Sequence, residues 1–231
     1  EYGPGHREVA ATLANLAEAL GELGCEQQQL LLLKRALAIE EGEYGLEHAQ
    51  VAVTLVQLGE VYGKLGDEER QRESLQQALE IQERALGPEH RDLAPTLCAL
   101  AHAYGALGAV AVRCDLLSRA LAIQDREPGP AHGELASLLE SLSSAYGDLG
   151  DTCRRRELLE RALEIKKRTY GPEHHEVATT LFGLALALYA GREHRGALEA
   201  LEEARELLVR TRGAEHRDAS RASRLLEDWR A

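Results

Sequence analysis

Six histidines stand at a fixed interval of 42 residues: His6, His48, His90, His132, His174 and His216. Each ends a short glycine-led stretch: GPGH at 3–6, GLEH at 45–48, GPEH at 87–90, GPAH at 129–132, GPEH at 171–174 and GAEH at 213–216. Imidazole is the side chain best suited to metal ligation and to proton transfer near neutral pH. A metal site, a catalytic row and a repeated structural corner would all place it there. Distance argues against a shared ion. Zinc draws its nitrogen ligands to about 2 Å, whereas equivalent positions in stacked helical units stand at least one helix diameter apart, roughly 8–10 Å. The row therefore reads as a corner, in which each histidine caps the helix that follows and packs on a neighbour.

Other reactive patterns fail on spacing. His175-Glu176 begins like a zinc-protease HExxH, but position 179 is Thr. The run from Gly59 to Lys64 is too short for a phosphate loop, has Leu65 where Ser or Thr is needed, and falls inside a helical pattern. Cys25, Cys98, Cys114 and Cys153 form no CxxC and show no paired spacing, which suits a reducing, cytoplasmic compartment. No GxSxG is present and no Cys–His pair converges. The expectation is a chain that is not an enzyme, with no catalytic residue, no metal and no cofactor.

The elements that position the corners follow from the same 42-residue register. Behind each corner come Val9, Val51, Leu93, Leu135 and Val177, then Ala10, Ala52, Ala94, Ala136 and Ala178. Further along are Leu13, Leu55, Leu97, Leu139 and Leu181, and then Leu16, Leu58, Leu100, Leu142 and Leu184. This spacing is the apolar stripe of an amphipathic helix. It breaks at GELG (21–24), GKLG (63–66), GALG (105–108) and GDLG (147–150), where paired glycines permit a left-handed turn. A second periodic stretch follows, as in RRRELLERALEIKK at 154–167.

Each unit is thus helix–turn–helix. First helices are predicted near 7–22, 49–64, 91–106, 133–148 and 175–190, and second helices near 26–43, 68–85, 110–127, 152–169 and 194–211. A last helix near 217–229, apolar through Ala219, Ala222, Leu226 and Trp229, reads as a cap. Pro95 is tolerated if the third first helix starts near Asp92, because first-turn amides have no intrahelical acceptor. Small residues at Ala17, Gly59, Ala36, Ala78, Ala120, Ala162 and Ala204 allow close helix approach. One unit cannot hide its apolar stripe alone, so neighbours must stack.

The composition agrees. Hydrophobic residues make up 44% of the 231 residues but aromatics only 4%, so the core is built of Leu, Ala and Val, which suits packed helices. The net charge of −12 argues against nucleic acid or an anionic membrane as partner. No apolar run reaches the length of a membrane span. Residues 3–44 and 45–86 each carry −4, while 129–170 balances seven acids with seven bases, so basic partners are expected at the N-terminal half. The arginine and lysine runs at 154–156 and 166–168 alternate with Glu157, Glu160 and Glu164, which predicts intrahelical pairing on a solvated outer face. The chain has no methionine and opens on EYG, the ending of a repeat, which reads as a segment of a larger protein.

The columns V-A-x-T-L-x-x-L-A-x-x-Y-x-x-L-G, E-L-L-E-R-A-L-E-I and Y-G-P-E-H, best seen at 150–181, resemble tetratricopeptide repeats of the 42-residue variety found in kinesin light chains. The resemblance covers essentially the whole chain. It implies an all-α fold: a right-handed α-solenoid, or superhelix, of five helix–turn–helix units at about 3–44, 45–86, 87–128, 129–170 and 171–212, with a C-terminal capping helix in 213–231, forming one domain. There are departures. The family's corner His-Pro is here His followed by Arg7, Ala49, Arg91, Gly133, His175 or Arg217. The small residue early in its second helix is replaced by Gln29, Gln71, Arg113 and Arg155, with only Ala197 conforming. Long side chains there are expected to snorkel outward or widen the helix pair.

The resemblance further implies a concave groove lined by first helices that binds an extended or helical peptide. With the Leu16 column facing the core, the groove positions are Asn15, Glu18 and Glu22; Gln57, Glu60 and Lys64; His102; Glu140, Ser141 and Ser144; and Phe182, Leu186 and Tyr189. Such a groove is acidic and amide-bearing at its N-terminal end and apolar at the other. Asn and Gln can pair with peptide backbone groups, and Glu18, Glu22 and Glu60 favour a ligand with Lys or Arg. The expected function is a cytoplasmic protein–protein interaction scaffold. Two alternatives stand beside it: self-assembly through the Leu13, Leu16 and Leu20 side of the first helix, and service as the ligand-sensing end of a larger signalling ATPase.

Overall fold

Five alanines spaced 42 apart, Ala36, Ala78, Ala120, Ala162 and Ala204, are all fully buried, and they mark where helices cross. The computed structural model describes residues 6–126 and 132–230, and every regular element among them is helical. The first helices are α1 (Arg7–Glu22), α3 (Ala49–Lys64), α5 (Ala94–Ala106), α7 (His132–Asp148) and α9 (His175–Ala190). The second helices are α2 (Glu26–Tyr44), α4 (Glu68–Leu86), α6 (Val110–Arg126), α8 (Thr152–Tyr170) and α10 (His194–Arg212), and α11 (Arg217–Arg230) follows. The boundaries fall within about a residue of those the periodicity predicts, except at α5. There Arg91–Leu93 forms a 3-10 turn, and the α-helix begins at Ala94 with Pro95 in its first turn. Pro95 thus sits where no amide hydrogen bond is lost.

The chain divides into two compact units, Glu1–Glu127 and Pro128–Ala231. In the first, α1 pairs with α2, α3 with α4 and α5 with α6, while α2 packs on α3 and α4 on α5. Ala17, Leu33, Leu58, Val61 and Tyr62 form one cluster across α1, α2 and α3, and Val51, Ala52, Leu55, Ala78 and Ile81 join α3 to α4. In the second unit α7 pairs with α8 and α9 with α10, α8 packs on α9, and α10 on α11. Ala185, Ala200, Leu201, Ala222 and Leu226 close α11 onto α9 and α10. Each fully buried leucine contributes about 1.5–3 kcal/mol. Leu58, Leu100 and Leu184 are buried, whereas Leu16 in α1 is 50% exposed.

Five corner histidines behave alike. Nδ1 of His6, His48, His90, His174 and His216 accepts from the amide two residues on, of Glu8, Gln50, Asp92, Glu176 and Asp218, at 3.1–3.3 Å. Each satisfies an amide that the helix start leaves without a carbonyl. Tyr44 stacks on His48 and Tyr170 on His174, at 4.5 and 4.9 Å between ring centres. The corner at 129–131 and the side chain of His132 lie outside the described residues. The preceding turns end on Gly45, Gly87, Gly171 and Gly213 with φ of 86–92° and extended ψ, a region essentially reserved for glycine.

The long side chains at the start of the second helices are half-buried and packed against the paired first helix. They lie over glycines of the paired first helix: Gln29 over Gly21, Gln71 over Gly63, Arg113 over Gly105 and Arg155 over Gly147. A Cβ on Gly21 would stand 2.6 Å from Gln29 Nε2, and one on Gly147 3.1 Å from Arg155 Nη1. In the fifth repeat the sizes exchange, with Tyr189 in the glycine column and Ala197 in the long one. Helix contact is kept by trading volume between two columns, so a large residue in one requires glycine in the other.

The outer-face reading of the 166–168 run also needs correction. Lys166 is only 3% exposed and points inward, Lys167 pairs with Glu203 of α10, and only Arg168 pairs within its own helix, with Glu164. Intrahelical spacing was satisfied, but neighbouring helices offered carboxylates at shorter range.

Candidate binding faces of the first helices

The first unit presents a polar face along α1, α3 and α5. Asn15, Glu18 and Glu22 of α1 are exposed, as are Glu60 and Lys64 of α3, and Gln57 is half-buried. Among the described residues, Glu18, Glu22, Glu60 and Lys64 enter no ion pair and no side-chain hydrogen bond. Glu43 of α2 and Glu80 of α4 are exposed and unpaired as well, but several charges around the corners and on the second helices are engaged. Arg84 pairs with Glu47, Arg126 with Glu89, and Arg119 reaches both Glu83 and the Pro88 carbonyl. The first two pairs brace a second helix against the corner of its own repeat, the Arg119–Glu83 pair ties one repeat to the next, and all use up their charges. The carboxylates of the first-helix face remain available.

His102 of α5 is exposed over much of its surface, yet its ring is held below the ordinary imidazole range, first by partial burial and then by the Arg113 charge. Cys98, one turn away on the same helix, has its thiol pushed up to about 11 by burial. A thiol that stays protonated is a poor nucleophile. Among the described residues no group of three or more His, Cys, Asp or Glu side chains is placed to hold a metal. All four cysteines are free thiols.

In the second unit, α7, α8 and α9 enclose a cleft of about 380 Å³. Glu140 and Ser144 of the expected set line it, together with Ser143, Asp148, Arg155 and Thr180, which the groove columns did not include. Ser141, half-buried, is not among the lining residues. The 42-residue register could have found Arg155, because Gly147 faces it in the same column in which Gly21 faces Gln29.

Glu140 is held by a buried cation. Lys166 Nζ donates to both Glu140 oxygens and to Glu176 Oε2, each at 2.8 Å, and Thr180 donates to Glu140 at 2.5 Å. Burial pulls the Lys166 ammonium down, but its hydrogen bonds to Glu140 and Glu176 outweigh this and leave it above the ordinary lysine range. The same bond holds the Glu176 carboxyl below its usual range, against a smaller opposing effect of burial.

The apolar end is partly covered, with Phe182 half-buried and Tyr189 still exposed. Phe182 packs against the clusters shared with α10 and α11, with the Arg221 guanidinium 5.2 Å over its ring. Tyr189 stacks on Trp229 of α11 at 4.0 Å between ring centres, 7° from parallel. Leu186 is half-buried. Sequence spacing placed these side chains on the right helix but did not reveal how much of them α11 hides.

Two family models, both described as tetratricopeptide repeat, match this sequence, one at residues 156–208 and the other at 51–92 and 135–176. Together they take in just over half of the chain. No curated protein matches it. Among solved structures, the putative kinesin light chain TPR-like repeats of Podosopora anserina are similar at 28% identity and a TM-score of 0.78, over 90% of this chain and 98% of that one. BtubC (BKLC) from P. vanneervenii is similar at 20% identity and a TM-score of 0.77, over 89% and 83% of the two chains. YrrB, described as a TPR protein with an unusual peptide-binding site, is similar at 16% identity and a TM-score of 0.63, over 92% and 90%. No described helix is long and apolar enough to cross a membrane. Stacked helix pairs, histidine-capped corners and these likenesses agree: the chain is an all-α solenoid of the tetratricopeptide-repeat family, of the 42-residue kinesin-light-chain-like kind, a fold that serves generally as a scaffold for protein partners.

Proposed function

We propose that this chain is a cytoplasmic interaction scaffold that binds a peptide or protein segment containing Lys or Arg along the first-helix face of its N-terminal unit. The observation that carries this reading is the set of exposed, unpaired carboxylates on α1 and α3. Glu47, Glu83 and Glu89 are spent on ion pairs with Arg84, Arg119 and Arg126, while Glu18, Glu22 and Glu60 are exposed and unpaired. Unpaired charge on one face steers and orients a complementary partner. Asn15 lies among these carboxylates in sequence and is exposed, offering both donor and acceptor to an extended backbone. A neighbour of the same fold is described as having a peptide-binding site, which supports peptide as the ligand class.

The experiment is an array of short peptides probed with the chain and with a Glu18→Lys, Glu60→Lys double variant. Selection of Lys- and Arg-containing peptides, weakened several-fold by the charge reversal and by added salt, supports the reading. Indifference to that reversal refutes it.

A further inference from the structure

The three arginines 154–156 share one turn of α8 but not one environment. Arg154 pairs with Asp151, and Arg156 pairs with Glu160 and Glu193. Arg155 has neither an ion pair nor a hydrogen bond among the described residues, and its Nε is buried without an acceptor. Its side chain lies over Gly147, where only the missing Cβ makes room, and it lines the cleft between α7, α8 and α9.

The Nε atoms of Arg113, Arg156 and Arg205 are also buried without an acceptor, so Arg155 stands apart through its place in the cleft together with its lack of any ion pair. The two carboxylates in the cleft are already engaged. Glu140 is held by Lys166 and Thr180, and Asp148 has a partner of its own. Ser143, Ser144, Thr179 and Thr180 add hydroxyl groups to the wall. Guanidinium is the group best matched to a planar carboxylate, through two parallel hydrogen bonds.

We infer that this cleft is an acidic-residue subsite: Arg155 receives the side-chain carboxylate of an Asp or Glu in a bound segment. This deepens the peptide-scaffold reading and assigns the second unit a charge preference opposite to that of the first. The segment it selects therefore carries an acidic residue apart from its basic ones.

The test uses the full chain labelled with 15N at arginine Nε. Sodium acetate is titrated in, against sodium chloride at equal ionic strength. The Arg155 Nε–H signal, identified by its absence in Arg155→Gln, is expected to shift with saturation under acetate and not under chloride. In parallel, amidated peptides carrying Glu or matched Gln are arrayed with free-carboxyl versions of the same sequences. The Glu peptides are expected to bind about tenfold better or more, with the preference lost in Arg155→Gln and kept in Arg154→Gln. Arg155→Gln should fold, since Gln29 and Gln71 occupy the same column over Gly21 and Gly63.

No saturable shift at Arg155, or a Glu preference that survives Arg155→Gln, overturns the inference. So does a gain confined to the free-carboxyl peptides, which would make the subsite one for chain ends. Peptides that bind without any acidic preference sink the subsite and leave the scaffold reading standing. A saturable acetate shift at Arg155 with no peptide bound upholds the subsite chemistry and sinks the scaffold reading.

Discussion

Lys166 of α8 grips Glu140 of α7 through both carboxylate oxygens at 2.8 Å and spends another N–H on Glu176 of α9 at the same distance. One buried ammonium thus straps together the first helices of two successive repeats. Removing it leaves two carboxylates facing each other, so Lys166→Ala should destabilise the chain by about 2 kcal/mol. That is less than the roughly 3–5 kcal/mol of a fully buried pair, because Glu140 and Glu176 keep part of their surface in water. Urea unfolding measures the difference.

The strap also sets a pH dependence. The Glu176 carboxyl titrates below its ordinary range, so its stabilisation is present above that range and is lost as pH falls through the lowered value. Lys166 titrates above the ordinary lysine range, so its share is present below that range and fades only as pH rises through the raised value. Melting temperature should therefore fall below about pH 4, and fall less steeply in Lys166→Ala than in the parent chain.

Glu40 behaves in the opposite sense. It is 1% exposed, and burial raises its carboxyl above the ordinary range despite the 2.6 Å hydrogen bond from Thr54 Oγ1. A raised carboxyl favours the folded state most below the ordinary carboxylate range, and this advantage disappears as pH climbs through the raised value. Gln82 and Gln124 already hold the same column in the next two repeats. Glu40→Gln should therefore raise the melting temperature at pH 7, with the gain vanishing near pH 3. A gain independent of pH would contradict this assignment.

Most of the fold was legible because the repeat writes each structural decision several times. The leucine and alanine columns, the glycine turns and the capping role of histidine all follow from type and spacing. What remained hidden depends on distance across helices. The repeat register aligns Lys166 with Glu40, Gln82, Gln124 and Leu208 and the exposed Arg168 with Arg84, Arg126 and Arg210, but the carboxylates that hold the Lys166 ammonium follow only from the packing of α8 between α7 and α9. Trp229 looked like core in the cap helix, but its stacking on Tyr189, which covers part of the expected groove, is a tertiary outcome. The exchange of size between Gly147 and Arg155 was visible in the columns, but its sense needs the helices side by side.

Arg192 stands where the other repeats have Gly24, Gly66, Gly108 and Gly150, and it keeps their left-handed backbone, with φ 64°. A side chain there costs about 1–2 kcal/mol, partly offset because glycine loses more freedom on folding. Arg192→Gly should stabilise the chain by about 0.5–1 kcal/mol, read from the urea midpoint.

The corner histidines give a paired prediction. His48→Ala removes the acceptor of the Gln50 amide and should cost about 1 kcal/mol. His48→Asn supplies another acceptor and should recover most of that loss, the remainder being the ring stack on Tyr44. If both variants lose the same amount, the stack rather than the cap holds the corner.

Chemical-shift mapping of the 15N-labelled chain with an array-selected basic peptide tests the binding reading most directly. Shifts concentrated at Asn15, Glu18, Gln57 and Glu60, saturating together, are the expected result. Shifts confined to α2, α4 and α6, or none at saturating peptide, would contradict it.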